Sequence, residues 1–398
     1  MSEIGQSEFQ KAWQRFSRNR PALFGLAYLF LAIFLAVFGY ALAPDNSPNA
    51  NIQIPELALL KPGNRASILT VKLPGSEEKT TWIQTLISGK AALEKQLAIK
   101  PESLTILRDS VHFEYAGNTK RSGAEHLLSL FYPITDSIQK IEDGYVFRNG
   151  SGELKRIGFN ELQTKAAAKD FVKTRNFPLG TDKYGRCMLS RLLLGFRVSL
   201  MVGLIAVAIS LTLGLLLGLL GGYFGGRLDD AVMLLVNTVW SIPTLLLVFA
   251  IVLALGRGVG IIFLAVGLTM WVDVARLVRG QTLALRNQPF VEAAQSMGLS
   301  HGRILLRHIV PNLLGPVMVL AAVNFATAIL IESGLSYLGF GVQPPTPSWG
   351  SMLNENYGYA IGGHPMLALA PAITIMLTVL AFNLVGNGLR DAVDVKSQ

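Results

Sequence analysis

The chain has 398 residues, of which 51% are hydrophobic and only 15% are charged, and its mean hydropathy is +0.42. These values exclude an ordinary soluble domain. The net charge of +9 comes without a basic patch interleaved with aromatic residues, so we expect a membrane protein with basic loops and no nucleic-acid partner. A single cysteine excludes an intrachain disulfide and a multi-cysteine metal site, and we expect no metal ion.

Six uncharged apolar runs predict six transmembrane helices in the lipid bilayer. They are Pro21–Pro44, Val198–Gly226, Ala231–Gly256, Gly258–Val272, Ile309–Ile331 and Asn356–Leu389. The fourth run is short for a hydrocarbon layer of roughly 30 Å, so it requires tilt, local thinning or polar ends. The first run is too long for the apolar region of a cleaved signal peptide, and we expect it to be retained.

Basic residues predict the orientation of these helices. Arg15, Arg18 and Arg20 precede the first run, which places the N-terminus on the cytoplasmic side. Six crossings then place the C-terminus and the basic segment 273–312 on that side too. The predicted parts are a cytoplasmic N-terminus with the first helix in 1–43, an insertion in 44–178, and a five-helix core in 179–398.

The insertion 44–178 is predicted to be a small α+β extracytoplasmic domain. Pieces of it alternate apolar and polar residues next to turn signals, and each is followed by a helix-like stretch. This indicates a repeat of a hairpin plus a helix. The copies are Ser110–Tyr115 with Ala124–Phe131, Tyr145–Phe147 with Glu161–Val172 and, more weakly, Ile68–Leu73 with Thr81–Ile87.

Three asparagines lie at apparent membrane depth, namely Asn237, Asn324 and Asn383. Such residues usually make hydrogen bonds between helices, although they could instead line a translocation path. Pro243 lies inside the third run, where it removes a backbone hydrogen bond and kinks the helix. That kink could serve packing or form a gate, and both interpretations stay open.

Glycines recur at every fourth position of the second run, at Gly214, Gly218 and Gly222. This spacing puts them on one face of a helix. A stripe of small residues favours the close approach of a second helix, and we expect it to serve packing and not to bind a ligand.

The segment 273–312 interrupts the apolar runs with a basic, helix-forming sequence. Gly298 divides it into two predicted short helices, because glycine adopts the left-handed turn that ends a helix. A short helix on the inner face of a membrane protein can insert into a groove of a soluble partner, although a merely solvated amphipathic face would look similar. The candidate contact residues are Glu292, Ala293, Ala294, Gly298, Ile304, Leu305, Arg307, His308 and Pro311. Glu292 could pair within the chain or with the partner.

Motifs on both sides of this segment are more specific. They are Gly180–Arg186, Gly195–Leu200, Ser241–Pro243, Glu332–Gly350 and Gly388–Ala392. Together they resemble the C-type permease subunit of oligopeptide, dipeptide and nickel ABC importers, over residues 1–43 and about 178–394. The segment around Glu292 resembles the cytoplasmic coupling loop of these permeases.

The resemblance implies a type I ABC importer permease in the bacterial inner membrane. It implies a heterodimer with a second permease, two ATPase subunits that bind ATP and magnesium, and an extracytoplasmic solute-binding protein. Two positions depart from the family pattern, because Cys187 and Asn387 stand where an aspartate is usual. The insertion is also longer than the family would lead us to expect, so the resemblance does not extend to it.

An ion-coupled secondary transporter is the main alternative. Such proteins carry ionisable residues or broken helices at mid-membrane, whereas Asp229, Asp230, Asp273 and Glu332 lie at the edges of the predicted helices. The chain has no phosphate-binding loop of the Gly-x-x-x-x-Gly-Lys-Ser/Thr type, so we expect no ATP hydrolysis and no enzyme activity in this subunit. Peptides are the expected substrate, with nickel chelates or another small solute as the alternative.

Overall fold

The computed structural model describes residues 8–74, 81–90, 94–117, 121–256 and 258–393. The chain divides into two compact units. The first, which we call the helical unit, comprises residues 1–34, 196–354 and 371–398, and the second, the α+β unit, comprises residues 35–195 and 355–370.

Helices account for most of the described chain. In chain order they are α1 (Glu8–Arg18), α2 (Arg20–Leu42), α3 (Trp82–Ser88), α4 (Leu127–Phe131), α5 (Phe159–Ala167), α6 (Met188–Phe224), α7 (Gly226–Trp240), α8 (Thr244–Leu255), α9 (Val259–Arg286), α10 (Pro289–Ser296), α11 (His301–Ile304), α12 (Val310–Tyr337), α13 (Trp349–Ile361) and α14 (Met366–Val393). A π-helical turn, Leu305–Ile309, joins α11 to α12.

Five helical stretches of the described chain are long and apolar enough to cross a membrane. They are α2, α6, α9, the stretch His301–Tyr337 that ends with α12, and α14. A sixth crossing is possible only if α7 and α8, which are bent by 89° at the break between them, cross together. The polytopic helical fold predicted from the apolar runs is therefore present, with five or six crossings.

The third predicted span, Ala231–Gly256, is the one that breaks. Pro243 stands at the corner with φ −54° and ψ 125°, and α8 begins directly after it. Since proline has no amide hydrogen to continue the hydrogen-bond ladder, the predicted kink is confirmed. The bend is sharp, at 89°, and divides the predicted span into two helices.

The fourth and sixth predicted spans also need correction. The short run Gly258–Val272 continues to Arg286 as part of the 28-residue helix α9, so it needs no thinning of the bilayer. Residues 273–286 therefore continue α9 and are not part of a separate segment after it. The run Asn356–Leu389 is divided between α13 and α14, because Gly363 takes a φ of +102° and Pro365 follows it.

Close packing joins α6 to α9 in the helical unit. A Cβ atom added to Gly214 would lie 2.4 Å from Cβ of Val274, and one added to Gly218 would lie 2.7 Å from the carbonyl oxygen of Ala275. Gly222 meets α9 in the same way, 2.8 Å from the carbonyl oxygen of Arg279. The glycine stripe is a packing surface, as its spacing predicts.

Nine strands of the described residues form three antiparallel sheets in the α+β unit. The strands are β1 (Asn64–Lys72), β2 (Glu94–Ile99), β3 (Thr105–Leu107), β4 (Ser110–Glu114), β5 (Ser122–His126), β6 (Gln139–Ile141), β7 (Gly144–Arg148), β8 (Leu154–Gly158) and β9 (Val172–Phe177). The sheet orders are β2-β1-β9, β3-β4-β5 and β6-β7-β8. All three sheets and both α4 and α5 contribute buried side chains to one core.

The repeat predicted in this unit has two copies. β3-β4-β5-α4 and β6-β7-β8-α5 share one order. In each copy the amide of the first helical residue donates to the carbonyl of an aspartate in the turn between the first two strands. These bonds run from Leu127 to Asp109 (2.8 Å) and from Phe159 to Asp143 (3.1 Å). The stretch Ala124–His126 is strand and not helix, because it pairs with β4. The third predicted copy differs, since β1 pairs with β2 and β9, which lie far away in the sequence.

Candidate functional site

The segment between α9 and α12, which we call the coupling segment (287–309), is shaped by local sequence. Pro289 begins α10, where its missing amide hydrogen costs nothing. At the end of α10, the amide of Leu299 donates to the carbonyl of Ala294 (3.2 Å) and the amide of Gly298 to that of Gln295 (2.9 Å). This is a Schellman ending, and Gly298 takes the left-handed φ of +72° that it requires. The first predicted short helix and the glycine after it are present, whereas the second, α11, is the first turn of the membrane-length stretch His301–Tyr337.

One face of the coupling segment is buried in the helical unit. Val291, Ala294, Ile304 and Ile309 pack with Tyr223 and the buried valines of α9 in one cluster. Ala294 and Ile304 were both predicted to contact a partner, but their side chains lie inside this chain. The burial of these two side chains holds the coupling segment against the helical unit.

Tyr223 is the anchor of this packing. Its hydroxyl lies 3.0 Å from Nδ1 of His301, and Nη1 of Arg286 donates to its carbonyl oxygen at 2.9 Å. The ring also makes an edge contact with the imidazole of His301, at 5.6 Å between centroids. The last turn of α6 thereby contacts both the end of α9 and the beginning of α11.

The opposite face of the coupling segment is exposed. Met297 and Leu306 are each 72% exposed, among the highest values for large apolar side chains of the described residues. Glu292, Ala293 and Arg307 are also exposed, and no cation of the described residues pairs with Glu292. Sequence reasoning missed Met297 and Leu306, because periodicity alone did not show which apolar residues the chain itself covers.

The remaining predicted residues of the segment lie at its end. Leu305 and His308 are half-buried in the π-helical turn, and Nδ2 of Asn312 donates to the carbonyl of His308 at 2.7 Å. Pro311, also predicted as a contact residue, lies just beyond the coupling segment. It lies in the first turn of α12, where proline is tolerated.

An ion pair ties α7 to α9 next to this site. Arg279 approaches Asp229 with two nitrogens, Nε at 2.5 Å and Nη2 at 2.6 Å. This bidentate geometry is the strong form of the interaction. It holds the first half of the bent pair against the helix that leads into the coupling segment.

The predicted path residues have different surroundings. Asn237 is exposed and accepts a hydrogen bond from Nη2 of Arg276 at 2.9 Å, and Arg276 also lies over the ring of Trp240. Asn324 is buried, and its Nδ2 has no hydrogen-bond partner among the described residues. Asn383 is half-buried, and Pro243 is exposed at the corner of the bent pair.

A groove of about 660 Å³ runs between α9, α12 and α14. Its walls are mainly apolar, with Pro316 and Val323 on α12, but Asp273 and Gln281 of α9 and Arg390 of α14 also line it. An acid and a base on different helices of an apolar groove suit a ligand that carries both charges.

The motif Glu332–Gly350 builds a buried polar cluster. The carboxylate of Glu332 is fully buried and accepts hydrogen bonds from Oγ of Ser336 at 2.7 Å and of Ser333 at 3.5 Å. A Cβ atom on Gly350 would lie 2.5 Å from the carbonyl oxygen of Ser333, so only glycine fits there. The sequence placed Glu332 at a helix end but did not show its burial.

A second buried polar cluster, in the α+β unit, involves the motif Gly180–Arg186. Arg186 donates to Asp182 at 2.6 Å through Nε and to Glu355 at 2.5 Å through Nη2. Arg191 shares Glu355 at 3.4 Å, but its Nε and Nη1 are buried without a hydrogen-bond partner. Cys187, which precedes Arg191 by four residues, is buried as well. Arg191 is therefore only partly compensated.

Comparison with known proteins gives two family matches. Residues 210–397 match the binding-protein-dependent transport system inner membrane component, and residues 7–62 match the N-terminal transmembrane domain of oligopeptide transport permease C. The structure is also similar to an inward-facing MetNI methionine ABC transporter, with a TM-score of 0.43 and 21% identity over 52% of this chain and 98% of that one.

Two relatives show how far the sequence similarity extends. The oligopeptide transport system permease protein OppC of Salmonella typhimurium is 47% identical over 58% of this chain and 76% of its own length. The glutathione transport system permease protein GsiD of Shigella flexneri is 46% identical over 54% of this chain and 71% of its own length. The chain therefore belongs to the inner-membrane permease components of binding-protein-dependent transport systems, as the relative of OppC-type permeases that its motifs predicted.

Proposed function

We propose that this chain is the permease subunit of an ATP-driven importer of oligopeptides or dipeptides and forms half of its translocation pathway. The names of the relatives support this proposal, since oligopeptides and glutathione are both peptides. The other half of the pathway belongs to a second permease. Two ATPase subunits on the cytoplasmic side bind ATP and magnesium, and a solute-binding protein delivers the peptide from outside.

The orientation follows from charge. Arg15, Arg18 and Arg20 precede α2, which favours a cytoplasmic N-terminus. Six crossings, with α7 and α8 counted as one, then place the coupling segment and the C-terminus in the cytoplasm. The insertion between α2 and α6 lies outside, where it is available to the solute-binding protein or the second permease.

The exposed face of the coupling segment carries the proposal. Met297 and Leu306 are apolar side chains that the described chain leaves uncovered, and Glu292 has no described counter-ion. We assign Met297 and Leu306 to a groove on the ATPase subunit and Glu292 to a cation there. Of the residues predicted from the sequence, Ala293, Leu305, Arg307 and His308 flank this contact.

The buried face then transmits movement. Because Ala294 and Ile304 are packed against Tyr223 and α9, a displacement of the segment displaces the ends of α6 and α9 as well. Nucleotide-driven closure of the ATPases would thus bias a two-state arrangement of these helices. Gly298 is the hinge that allows α10 and α11 to take different directions.

The pathway is proposed to follow the groove between α9, α12 and α14. Asp273 would meet the ammonium group of a peptide, and Arg390 would meet its carboxylate. Asn324 and Asn383 lie on two of the same helices, α12 and α14, but do not line the groove. The corner at Pro243, with Asn237 in the preceding helix, is the proposed gate.

Reconstitution tests the function. The chain, with its second permease, ATPases and binding protein in proteoliposomes, should accumulate labelled peptide only with internal ATP. Met297→Ala together with Leu306→Ala should weaken ATPase binding about tenfold for each residue, as expected of interface anchors. Leu154→Ala, a similarly exposed apolar position of the α+β unit (69%), is the matched control. Uptake driven by an ion gradient without the ATPases would support the secondary transporter and refute the proposal.

A further inference from the structure

The short helix α1 precedes α2, the first membrane-length helix, and belongs to the helical unit. Only Asn19 separates α1 from α2, and Oδ1 of Asn19 accepts a hydrogen bond from the amide of Ala22 at 3.1 Å as the N-cap of α2. Nδ2 of Asn19 donates to Asp391, close to the end of α14, at 3.2 Å. α1 is therefore fixed beside the ends of two helices that are long enough to cross the membrane.

The faces of α1 have different surroundings. Ala12 and Phe16, one helical turn apart, pack with Ala22, Leu389 and Ala392. A Cβ atom on Gly388 would lie 3.1 Å from the ring of Phe16, so α1 and α14 are in close contact. The apolar side of α1 is thus already covered by this chain.

The exposed surface of α1 carries one aromatic ring and a row of cations. Trp13 is 54% exposed although it stacks on Phe16 at 5.8 Å between centroids. Arg15 and Arg18 are exposed one turn apart, and Arg20 follows at the start of α2. No ion pair among the described residues involves these three arginines.

We propose that α1 lies within the headgroup layer of the membrane, where Arg15, Arg18 and Arg20 bind the headgroups of anionic phospholipids and Trp13 contacts the layer from the opposite side of the helix. Tryptophan is enriched at this level, and cations beside a membrane span attract anionic lipid. We choose lipid over an acidic protein as the partner because α1 is continuous with α2, and α2 holds the arginines at the bilayer surface. This site is independent of the coupling segment and of the substrate.

Hydrogen exchange of the full chain in nanodiscs tests the proposal. The amides of residues 12–18 should exchange more slowly in discs containing phosphatidylglycerol than in discs of phosphatidylcholine alone. In the double variant Arg15→Gln with Arg18→Gln, this added protection should be roughly 25-fold smaller, because each arginine contributes a factor of roughly five. High salt should have the same effect on the wild-type chain.

Two controls make the result specific. Lys61→Gln with Arg65→Gln removes two exposed cations from the α+β unit and should leave the lipid preference unchanged. Soluble glycerophosphate in phosphatidylcholine discs distinguishes a lipid site from a general phosphate site, and it should give no protection. Equal exchange in both kinds of disc, or protection by glycerophosphate alone, would overturn the proposal.

Discussion

The hydroxyl of Tyr223 and Nδ1 of His301 lie 3.0 Å apart, and this contact links the last turn of α6 to the first residue of α11. Either group can donate, depending on the protonation of the imidazole. The bond is therefore a direct connection between a membrane-length helix and the coupling segment.

A double-mutant cycle measures this connection. Tyr223→Phe and His301→Asn should each lower the ATP-driven uptake of the reconstituted importer, and their effects should not add. The expected coupling energy is about 1 kcal/mol, the usual value of one hydrogen bond. The amides of the coupling segment should also exchange faster in Tyr223→Phe. Fully additive effects would mean that the contact transmits nothing.

Gly298 offers a test of the hinge. A Cβ atom there meets nothing within 4 Å, so a substitution acts on the backbone alone. Gly298→Pro removes the hydrogen bond to Gln295 and cannot adopt the left-handed φ, so we expect membrane insertion without transport-coupled ATP hydrolysis. Gly298→Asn, which tolerates this φ, should keep most of the activity. Normal uptake by the proline variant in proteoliposomes would contradict the assignment.

Cys187→Asp should stabilise the protein. The new carboxylate would lie four residues before Arg191, whose Nε and Nη1 are buried without a hydrogen-bond partner. Arg191 already has Glu355 at 3.4 Å and Asp182 at 4.0 Å, and the new carboxylate must itself be desolvated, so we expect a net gain of at most about 1 kcal/mol. Thermal unfolding of the full chain in detergent measures it. Cys187→Ser has nearly the same volume without a charge and should give no gain, so an equal effect of both variants would argue against the pairing.

The charged residues of the groove should govern substrate choice. Arg390→Gln should weaken uptake of peptides with a free carboxylate about tenfold, because one charge-assisted hydrogen bond is lost, and should matter less for C-terminally amidated peptides. Asp273→Asn should weaken uptake of peptides with a free amino terminus and should matter less for N-terminally acetylated peptides. Asn387→Gln, an exposed position on α14, is the control. Equal losses for the free, the amidated and the acetylated peptides would indicate a structural role.

His126 should make the α+β unit sensitive to pH. Its Nδ1 accepts the amide of Leu128 at 3.2 Å, and burial lowers the pKa of the imidazole below its usual 6.5. As the pH falls, the unfolded chain therefore binds the proton at a higher pH than the folded chain does. The contribution of His126 to the free energy of unfolding is fully present above about pH 6.5 and decreases as the pH falls through that value. Protection of amides 127–131, corrected for intrinsic exchange, should fall accordingly. His126→Asn keeps a cap acceptor without titration and should respond less. An identical pH response in both proteins would exclude His126 as the cause.

Local features were predictable from the sequence, and long-range burial was not. The glycine stripe of α6, the left-handed Gly298 and the kink at Pro243 each depend on residues within one turn, so their chemistry could be read directly. The inward position of Ile304 depends on helices that are distant in sequence. The continuation of α9 beyond Val272 was missed because charge was taken as the end of a helix, although charged residues form helices readily.

The corner at Pro243 has a consequence for the whole topology, because it controls whether the number of crossings is odd or even. If α7 and α8 together cross once, the coupling segment faces the same compartment as the N-terminus. If the pair instead turned back, every later helix would be inverted, and the segment would face away from any source of ATP. Energy coupling at Met297 and Leu306 thus requires that a broken helix, bent by 89°, still complete its passage through the bilayer.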